Sequence, residues 1–220
     1  MKTPNISNPF LALLFSTIAV LLFTANVVRA QTPVSQPGVG VADEGLIQSS
    51  ARVNVSATAE SLRLYKEMHA VLGHPRCVNC HPKDDTPKQG MDGHVHSPPI
   101  TRGPQNNGPV GLQCAACHGA ANYDVARMPG APSWHLAPAS MAWEGKSAGE
   151  LCRVMTDRSK NGNRDLAATV KHLTEDKLVA WAWEPGVDVF GNPRLAVPMS
   201  KEQFNRTVIA WARSGGACPE

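Results

Sequence analysis

The sequence predicts a mainly α-helical domain with long irregular loops. Apolar residues recur at helical spacing before Gly73 and again after Ser147. Prolines and glycines crowd the segments 82–112 and 119–146, which excludes long helices and central strands there. The alternation of apolar and polar residues that is typical of half-buried strands is weak throughout.

Residues 1–30 have the composition of a secretory signal peptide. Lys2 gives a basic start, the run from Phe10 to Val28 is almost wholly apolar, and Val28-Arg29-Ala30 places a β-branched and a small residue where signal peptidase recognises the chain. We therefore expect export and cleavage after Ala30. The alternative is a retained membrane anchor, because the apolar run is long for a signal peptide.

Residues 31–55 are predicted to be a flexible leader, because they contain Pro and Gly and few large apolar groups. A helix is expected to begin at Ser56 and to end near Gly73, because Gly73 and Pro75 are helix-terminating residues. Its apolar face is formed by residues at helical spacing: Leu62, Tyr65, Met68 and Leu72.

Four more helices are expected in the last third of the chain, each with a recognisable start or stop signal. They run from the capping box Ser147-x-x-Glu150 to about Lys160, from Asp165 to His172, from a cap within Thr174–Asp176 to Glu184, and from the capping box Ser200-x-x-Gln203 to Gly215.

Two copies of one cysteine and histidine pattern dominate the middle of the chain. They are Cys77-Val78-Asn79-Cys80-His81 and Cys114-Ala115-Ala116-Cys117-His118. Cys-x-x-Cys-His is the pattern that attaches c-type haem. The two thiols form thioethers to the haem vinyl groups, and the histidine binds the iron. The sequence therefore predicts two covalent haems, attached by Cys77, Cys80, Cys114 and Cys117, with His81 and His118 as proximal ligands.

Two other uses of paired cysteines fit less well. Zinc bound by four thiolates would leave both adjacent histidines unexplained. A thioredoxin-like redox pair would need a βαβ context that the sequence does not suggest. Bacterial c-type haem is attached outside the cytoplasm, which agrees with the export signal and indicates the periplasm.

The prediction of two haems also indicates how the chain after the leader is organised. Residues 56–220 are expected to form one dihaem cytochrome c-like domain, with a haem-binding body at 56–146 and a helical scaffold at 147–220. The loops can be long because the haems would form much of the core that the chain itself lacks.

The second axial ligand of each iron is predicted from a spacing parallel. His96 lies 15 residues after His81, and His135 lies 17 residues after His118. Each is followed closely by proline, so motif, loop and histidine resemble a degenerate repeat. We assign His96 to the first haem and His135 to the second.

Other side chains compete for these axial positions. His74 is too close to its own motif but is a candidate for the neighbouring haem, and His94 competes with His96. His172, on an expected helix, is either a core histidine or a distal ligand. Met141 follows a proline loop, which suits a thioether ligand for the second haem, and methionine ligation would raise the potential.

Two cysteines, Cys152 and Cys218, remain outside the haem motifs. An even pair in an oxidising compartment predicts one disulfide, which would tie the C-terminal tail to a mid-chain helix. Two buried free thiols are the alternative.

Charge and motif content narrow the function. Loss of Lys2 and Arg29 with the signal peptide lowers the formal charge from +3 to +1, so nucleic-acid binding is not expected. Two six-coordinate haems predict electron transfer without catalysis, with the haem edges and the loops 82–112 and 119–146 as the docking surface. The alternative is a dihaem peroxidase with one open iron site, although such enzymes are usually longer. A haem-bearing sensor is the least favoured of the three functions, because no output domain is evident.

The chain resembles periplasmic dihaem c-type cytochromes in its two motifs. Over most of residues 31–220 it is also similar to bacterial proteins known as an isoquinoline 1-oxidoreductase subunit. That similarity rests on the runs His74-Pro75-Arg76-Cys77, His96-Ser97-Pro98-Pro99, Trp134-His135-Leu136-Ala137-Pro138 and Met141-Ala142-Trp143-Glu144-Gly145, and on the tail from Gly215 to Pro219. It implies an electron-accepting cytochrome partner of a molybdenum hydroxylase, since nothing in the chain suggests a molybdopterin or ring-substrate site.

Overall fold

The structure is a computed structural model that describes residues 44–220, with side chains described from residue 54 onward. These residues belong to one compact unit, Ala42–Glu220. The predicted signal peptide, its membrane-anchor alternative and the first part of the leader lie outside the described residues. Among the described helices, none is both long enough and apolar enough to cross a bilayer.

Residues 44–220 are mainly helical with little strand, which confirms the predicted class. The α-helices are α1 (Glu44–Leu72), α2 (Pro75–Val78), α3 (Ala148–Thr156), α4 (Leu166–Glu175), α5 (Lys177–Ala180) and α6 (Lys201–Arg213). Two short antiparallel strands form a hairpin inside segment 82–112, the first loop (119–146 is the second loop): β1 (Lys88–Gln89) and β2 (His94–Val95). Single 3₁₀ turns occupy Cys114–Ala116, Asp124–Ala126, Ala139–Met141 and Trp181–Trp183.

Helix α1 begins earlier than the sequence predicts. It starts at Glu44 and not at Ser56, so residues 44–55 belong to the helix although they were assigned to the leader. No proline stands between Pro37 and Pro75, and the residues that suggested a leader, Pro33, Pro37, Gly38 and Gly40, all precede Glu44; the helix itself contains one glycine, Gly45. A single internal glycine lowers helix propensity without ending a helix.

The predicted capping box at the start of α3 is confirmed. The Ser147 hydroxyl accepts a hydrogen bond from the Glu150 backbone N–H at 3.2 Å, and the Glu150 carboxylate accepts one from the Ser147 N–H at 2.8 Å. The helix ends at Thr156, short of the predicted Lys160. The reason is local: the Asp157 carboxylate accepts from the Ser159 N–H at 2.9 Å, which turns the chain out of the helix.

The predicted starts of the other C-terminal helices are confirmed, and some of their ends differ by a few residues. Asp165 caps α4 by accepting from the Ala168 N–H at 2.8 Å, and Ser200 caps α6 by accepting from the Gln203 N–H at 3.2 Å. Helix α4 continues past His172 to Glu175, and Asp176 caps the short α5, which passes into the 3₁₀ turn at Trp181–Trp183.

Loss of the α3 cap should weaken the domain measurably. We expect Ser147→Ala to lower the free energy of unfolding by about 1 kcal/mol, because an N-terminal N–H of the helix loses its acceptor. Chemical denaturation of the purified protein measures this. Ser147→Asp keeps an oxygen acceptor and should retain most of the stability; equal losses in both variants would contradict the capping role.

The main core lies between α1 and the C-terminal helices. Tyr65 and Met68 of α1 and Trp211 of α6 are fully buried, and the rings of Tyr65 and Trp211 have their centres 5.9 Å apart. The predicted apolar face of α1 is confirmed for Tyr65, Met68 and Leu72, whereas Leu64 replaces the half-buried Leu62.

A disulfide ties the C-terminal tail to this core. Cys152 of α3 is bonded to Cys218, with their Cα atoms 5.5 Å apart. The tail is held further by the Ala217 N–H, which donates to the Ser61 hydroxyl at 2.7 Å. The Trp211 indole N–H donates to the Ala217 carbonyl at 3.0 Å. The structure thus pairs the two cysteines that the sequence predicts to pair.

Candidate functional site

Each Cys-x-x-Cys-His motif forms one tight helical turn. In the first, α2 contains Cys77, and the His81 N–H donates to the Val78 carbonyl at 2.9 Å. In the second, the 3₁₀ turn begins at Cys114, and the His118 N–H donates to the Cys114 carbonyl at 2.9 Å. Each turn presents two thiols and an imidazole from five consecutive residues.

All four motif cysteines are free thiols in the structure. Burial raises the pKa of Cys77 to about 12, and burial together with the charge of Cys114 raises the pKa of Cys80 to about 11. Backbone hydrogen bonds connect the two motifs: the Ala137 N–H donates to the Cys80 carbonyl at 3.0 Å, the Leu136 N–H to the Asn106 carbonyl at 2.7 Å, and the Cys114 N–H to the Asn107 carbonyl at 2.7 Å. None of the four is drawn into a disulfide, so all remain available for thioether formation.

Both motif histidines are held by a backbone carbonyl through the same nitrogen. Nδ1 of His81 donates to the Met141 carbonyl at 2.7 Å, and Nδ1 of His118 donates to the Pro129 carbonyl at 2.7 Å. A carbonyl oxygen can only accept, so Nδ1 carries the proton and Nε2 keeps its lone pair in the neutral ring. This is the arrangement in which an outer hydrogen bond orients a metal-binding histidine.

Burial keeps these two rings neutral. It lowers the pKa of His81 to about 4, against the opposing effect of the Met141 hydrogen bond, and it also lowers the pKa of His118. A neutral imidazole is the form that binds a metal, so near neutral pH neither ring has to lose a proton first.

A tryptophan lies flat on each of these imidazoles. Trp143 stacks on His81 with ring centres 3.6 Å apart and planes 12° apart. Trp134 stacks on His118 at 4.6 Å and 7°. Sequence reasoning placed both tryptophans in the second loop but gave them no role. The stacking fixes the plane of each histidine ring, which the spacing of the motif alone does not reveal.

The loop that follows the second motif packs on the first motif. The Ala137 N–H donates to the Cys80 carbonyl at 3.0 Å, and the N–H groups of Trp143 and Glu144 both donate to the His81 carbonyl, at 2.9 and 3.2 Å. Arg102, which is only 6% exposed, joins the two loops by donating to the carbonyls of Asp84 and Ala137. The two motif regions therefore interlock.

His96 lies beside the histidine of the other motif. Its ring centre is 5.9 Å from that of His118, and the two planes cross at 66°. Its Nδ1 donates to the Pro98 carbonyl at 2.8 Å. The sequence assigned His96 to the first haem, and that assignment stays a prediction; the structure brings it to the neighbourhood of the second motif.

The charges of His135 and His172 act on His81 of the first motif. After burial and the Met141 contact, the charges of both contribute to the low pKa of His81. Nδ1 of the exposed His135 donates to the Ser133 carbonyl. Nδ1 of His172, on α4, is 3.4 Å from a carboxylate oxygen of Asp176. Both rings thus use Nδ1 for an orienting contact.

The remaining candidates have other contacts. His74 caps α2, where its Nδ1 accepts from the Arg76 N–H at 3.2 Å, so in the neutral ring its proton lies on Nε2. The side chain of Met141 is buried in the main core, and its carbonyl serves His81. His94 is exposed and pairs with Asp92 at 2.6 Å.

The residues around the motifs fit a large apolar prosthetic group. Between Leu72 and Ala131, a range that the structure describes in full, Pro82 is the one aliphatic or aromatic side chain that is buried. Several are exposed there, namely Met91, Val95, Val110, Leu112, Tyr123 and Val125. The buried indole N–H of Trp143 has no acceptor. A segment of this length needs apolar contacts from elsewhere to be stable, and a porphyrin with acidic side groups would supply both the contacts and an acceptor.

A cluster of three or more His, Cys, Asp or Glu side chains arranged for a bare metal ion is not found within the described residues. Comparisons of the chain with protein-family models, with curated proteins and with solved structures return no match.

Proposed function

We propose that this protein is an exported dihaem c-type cytochrome that transfers electrons in the periplasm. One observation carries the proposal: each of two Cys-x-x-Cys-His turns holds its histidine by Nδ1 on a backbone carbonyl and leaves Nε2 with its lone pair. That is the chemistry that a proximal haem ligand requires.

Six residues would hold the two groups. Cys77 and Cys80 would form the thioethers of the first haem and His81 would bind its iron; Cys114, Cys117 and His118 would do the same for the second. The haem iron supplies one-electron chemistry when it is bound. The chain supplies the rest: it orients each imidazole, shields its plane with a tryptophan and keeps the ring neutral by burial.

The proximity of the two motifs supports electron passage within one chain. The charge of Cys114 acts on Cys80, and the loop after the second motif is bonded to the first. We propose that the two haems lie close enough to exchange electrons directly. The redox partner would be a periplasmic dehydrogenase, for which the similarity to the isoquinoline 1-oxidoreductase subunit, carried by runs such as Trp134-His135-Leu136-Ala137-Pro138, suggests a molybdenum hydroxylase.

The direct test is a redox titration of the exported protein, followed by absorption spectroscopy. We expect two covalent haems per chain, both low-spin in the oxidised state, and no charge-transfer band of methionine-ligated iron in the far red. A chain that is exported under conditions of haem attachment but carries no covalent haem would refute the proposal. A stable high-spin haem that reacts with peroxide would instead favour the peroxidase alternative.

A further inference from the structure

The strongest unassigned feature of the site is the pair formed by His96 and His118. Their ring centres are 5.9 Å apart and their planes cross at 66°. Two imidazoles that bind one metal through Nε2 from opposite sides have ring centres roughly 6 Å apart, because each bond is about 2 Å long and each centre lies about 1 Å further on. The separation fits that arrangement, and the 66° crossing distinguishes the pair from the face-to-face stack of His81 on Trp143.

The hydrogen bonds of the two rings favour the same arrangement. Nδ1 of His96 is bound to the Pro98 carbonyl and Nδ1 of His118 to the Pro129 carbonyl, so both rings have Nε2 free to bind a metal. In contrast, His74 has its Nδ1 lone pair engaged by the Arg76 N–H.

The position of His96 is fixed by its own loop. The His96 N–H donates to the Pro87 carbonyl at 3.0 Å, directly beyond β2. The next residue, Ser97, donates its N–H to the Gln89 side chain at 3.2 Å. The hairpin β1–β2 therefore delivers His96 as a fixed group. The 15 residues that separate it from His81 can span roughly 50 Å when extended, so chain length does not restrict it to the first motif.

We infer that His96 is the distal ligand of the iron held by Cys114, Cys117 and His118, so that the loop after the first motif completes the second haem site. The inference rests on the proposed function and deepens it, and it replaces the pairing of each histidine with its own motif. The ligand of the first haem would then come from the later chain, where His135 lies two residues before Ala137, whose N–H donates to the Cys80 carbonyl at 3.0 Å.

The test uses the full-length dihaem protein with His96→Ala. We expect one of the two haems to change from low-spin to high-spin, with loss of half of the low-spin intensity in electron paramagnetic resonance. Added imidazole should restore the low-spin signal. The matched control is His94→Ala, two residues away on the same hairpin, which should leave both haems low-spin.

The haem that changes can be identified in the same variant. Trp134 stacks on His118 and Trp143 on His81, so proton contacts from the shifted haem signals to one indole or the other assign each haem by nuclear magnetic resonance. We expect the haem near Trp134 to change. A change at the haem near Trp143, or no change at either, would overturn the inference while leaving the proposed function standing.

A second set of variants keeps the inference testable if the His96→Ala protein does not fold. In a chain that retains only the second haem, through Cys77→Ser and Cys80→Ser, His96→Met should keep covalent haem and show the methionine–iron band. In a chain that retains only the first haem, the same substitution should leave the spectrum unchanged. The reverse pattern would overturn the inference. If the wild-type chain carries no covalent haem, the proposed function is refuted, and this inference is refuted with it.

Discussion

Chains in which Cys114→Ser and Cys117→Ser are combined should be recovered with one covalent haem and not two. A serine hydroxyl does not form the thioether that attaches the porphyrin, and these two residues are the only cysteines of the second motif. Mass spectrometry of the intact chain and the absorbance of its haem in alkaline pyridine measure the count. The matched variant, Cys77→Ser with Cys80→Ser, should also retain one haem.

Removal of all four motif thiols should destabilise the folded structure of residues 73–130 more than that of the helical core. Between Leu72 and Ala131 the chain buries one aliphatic side chain, Pro82, whereas α1 and α6 pack around Tyr65 and Trp211. We expect rapid proteolytic cleavage within residues 73–130 and slower cleavage within the helical core. Equal resistance of that segment in the four-serine variant and the wild type would contradict its dependence on the prosthetic groups.

Loss of the Cys152–Cys218 disulfide is the second large effect that we expect. The combined change Cys152→Ala and Cys218→Ala should lower the free energy of unfolding by about 2–5 kcal/mol, because the bond closes a loop with a sequence separation of 66 and so limits the unfolded chain. Denaturant titration of both proteins under non-reducing conditions measures the difference.

Chemical reduction provides the matched control for this prediction. A thiol reductant should lower the denaturation midpoint of the wild type toward that of the double variant and should leave the variant itself unchanged. Identical midpoints for the oxidised wild type and the variant would show that the bond adds nothing to stability.

The features that the sequence predicted well depend on neighbouring residues. The starts of α3, α4 and α6 follow from Ser147, Asp165 and Ser200, since a side-chain oxygen reaches an N–H only three residues away. The early end of α3 has an equally local cause in Asp157, but it competes with helical propensity and was missed. The pairing of Cys152 with Cys218 was accessible by counting, because four cysteines were already assigned.

The distal half of the site depends on how two loops pass one another. The spacing of His96 from His81 is the same whichever motif the histidine approaches, so sequence distance carries no information about the partner. That information lies in contacts between distant residues, such as Ala137 with Cys80 and the hairpin that sets His96. The stacked tryptophans escaped prediction for the same reason: Trp143 meets His81 only after the second loop has folded back.

If His81 binds the first haem as proposed, its bonding also bears on the speed of electron exchange. Its imidazole donates to the Met141 carbonyl, its own carbonyl accepts from two backbone N–H groups, and Trp143 covers its face. A ring held in these three ways has little freedom to tilt when the charge beside it changes. The reorganisation energy of the first centre should therefore be small, and the rate of electron exchange should depend mainly on distance and driving force.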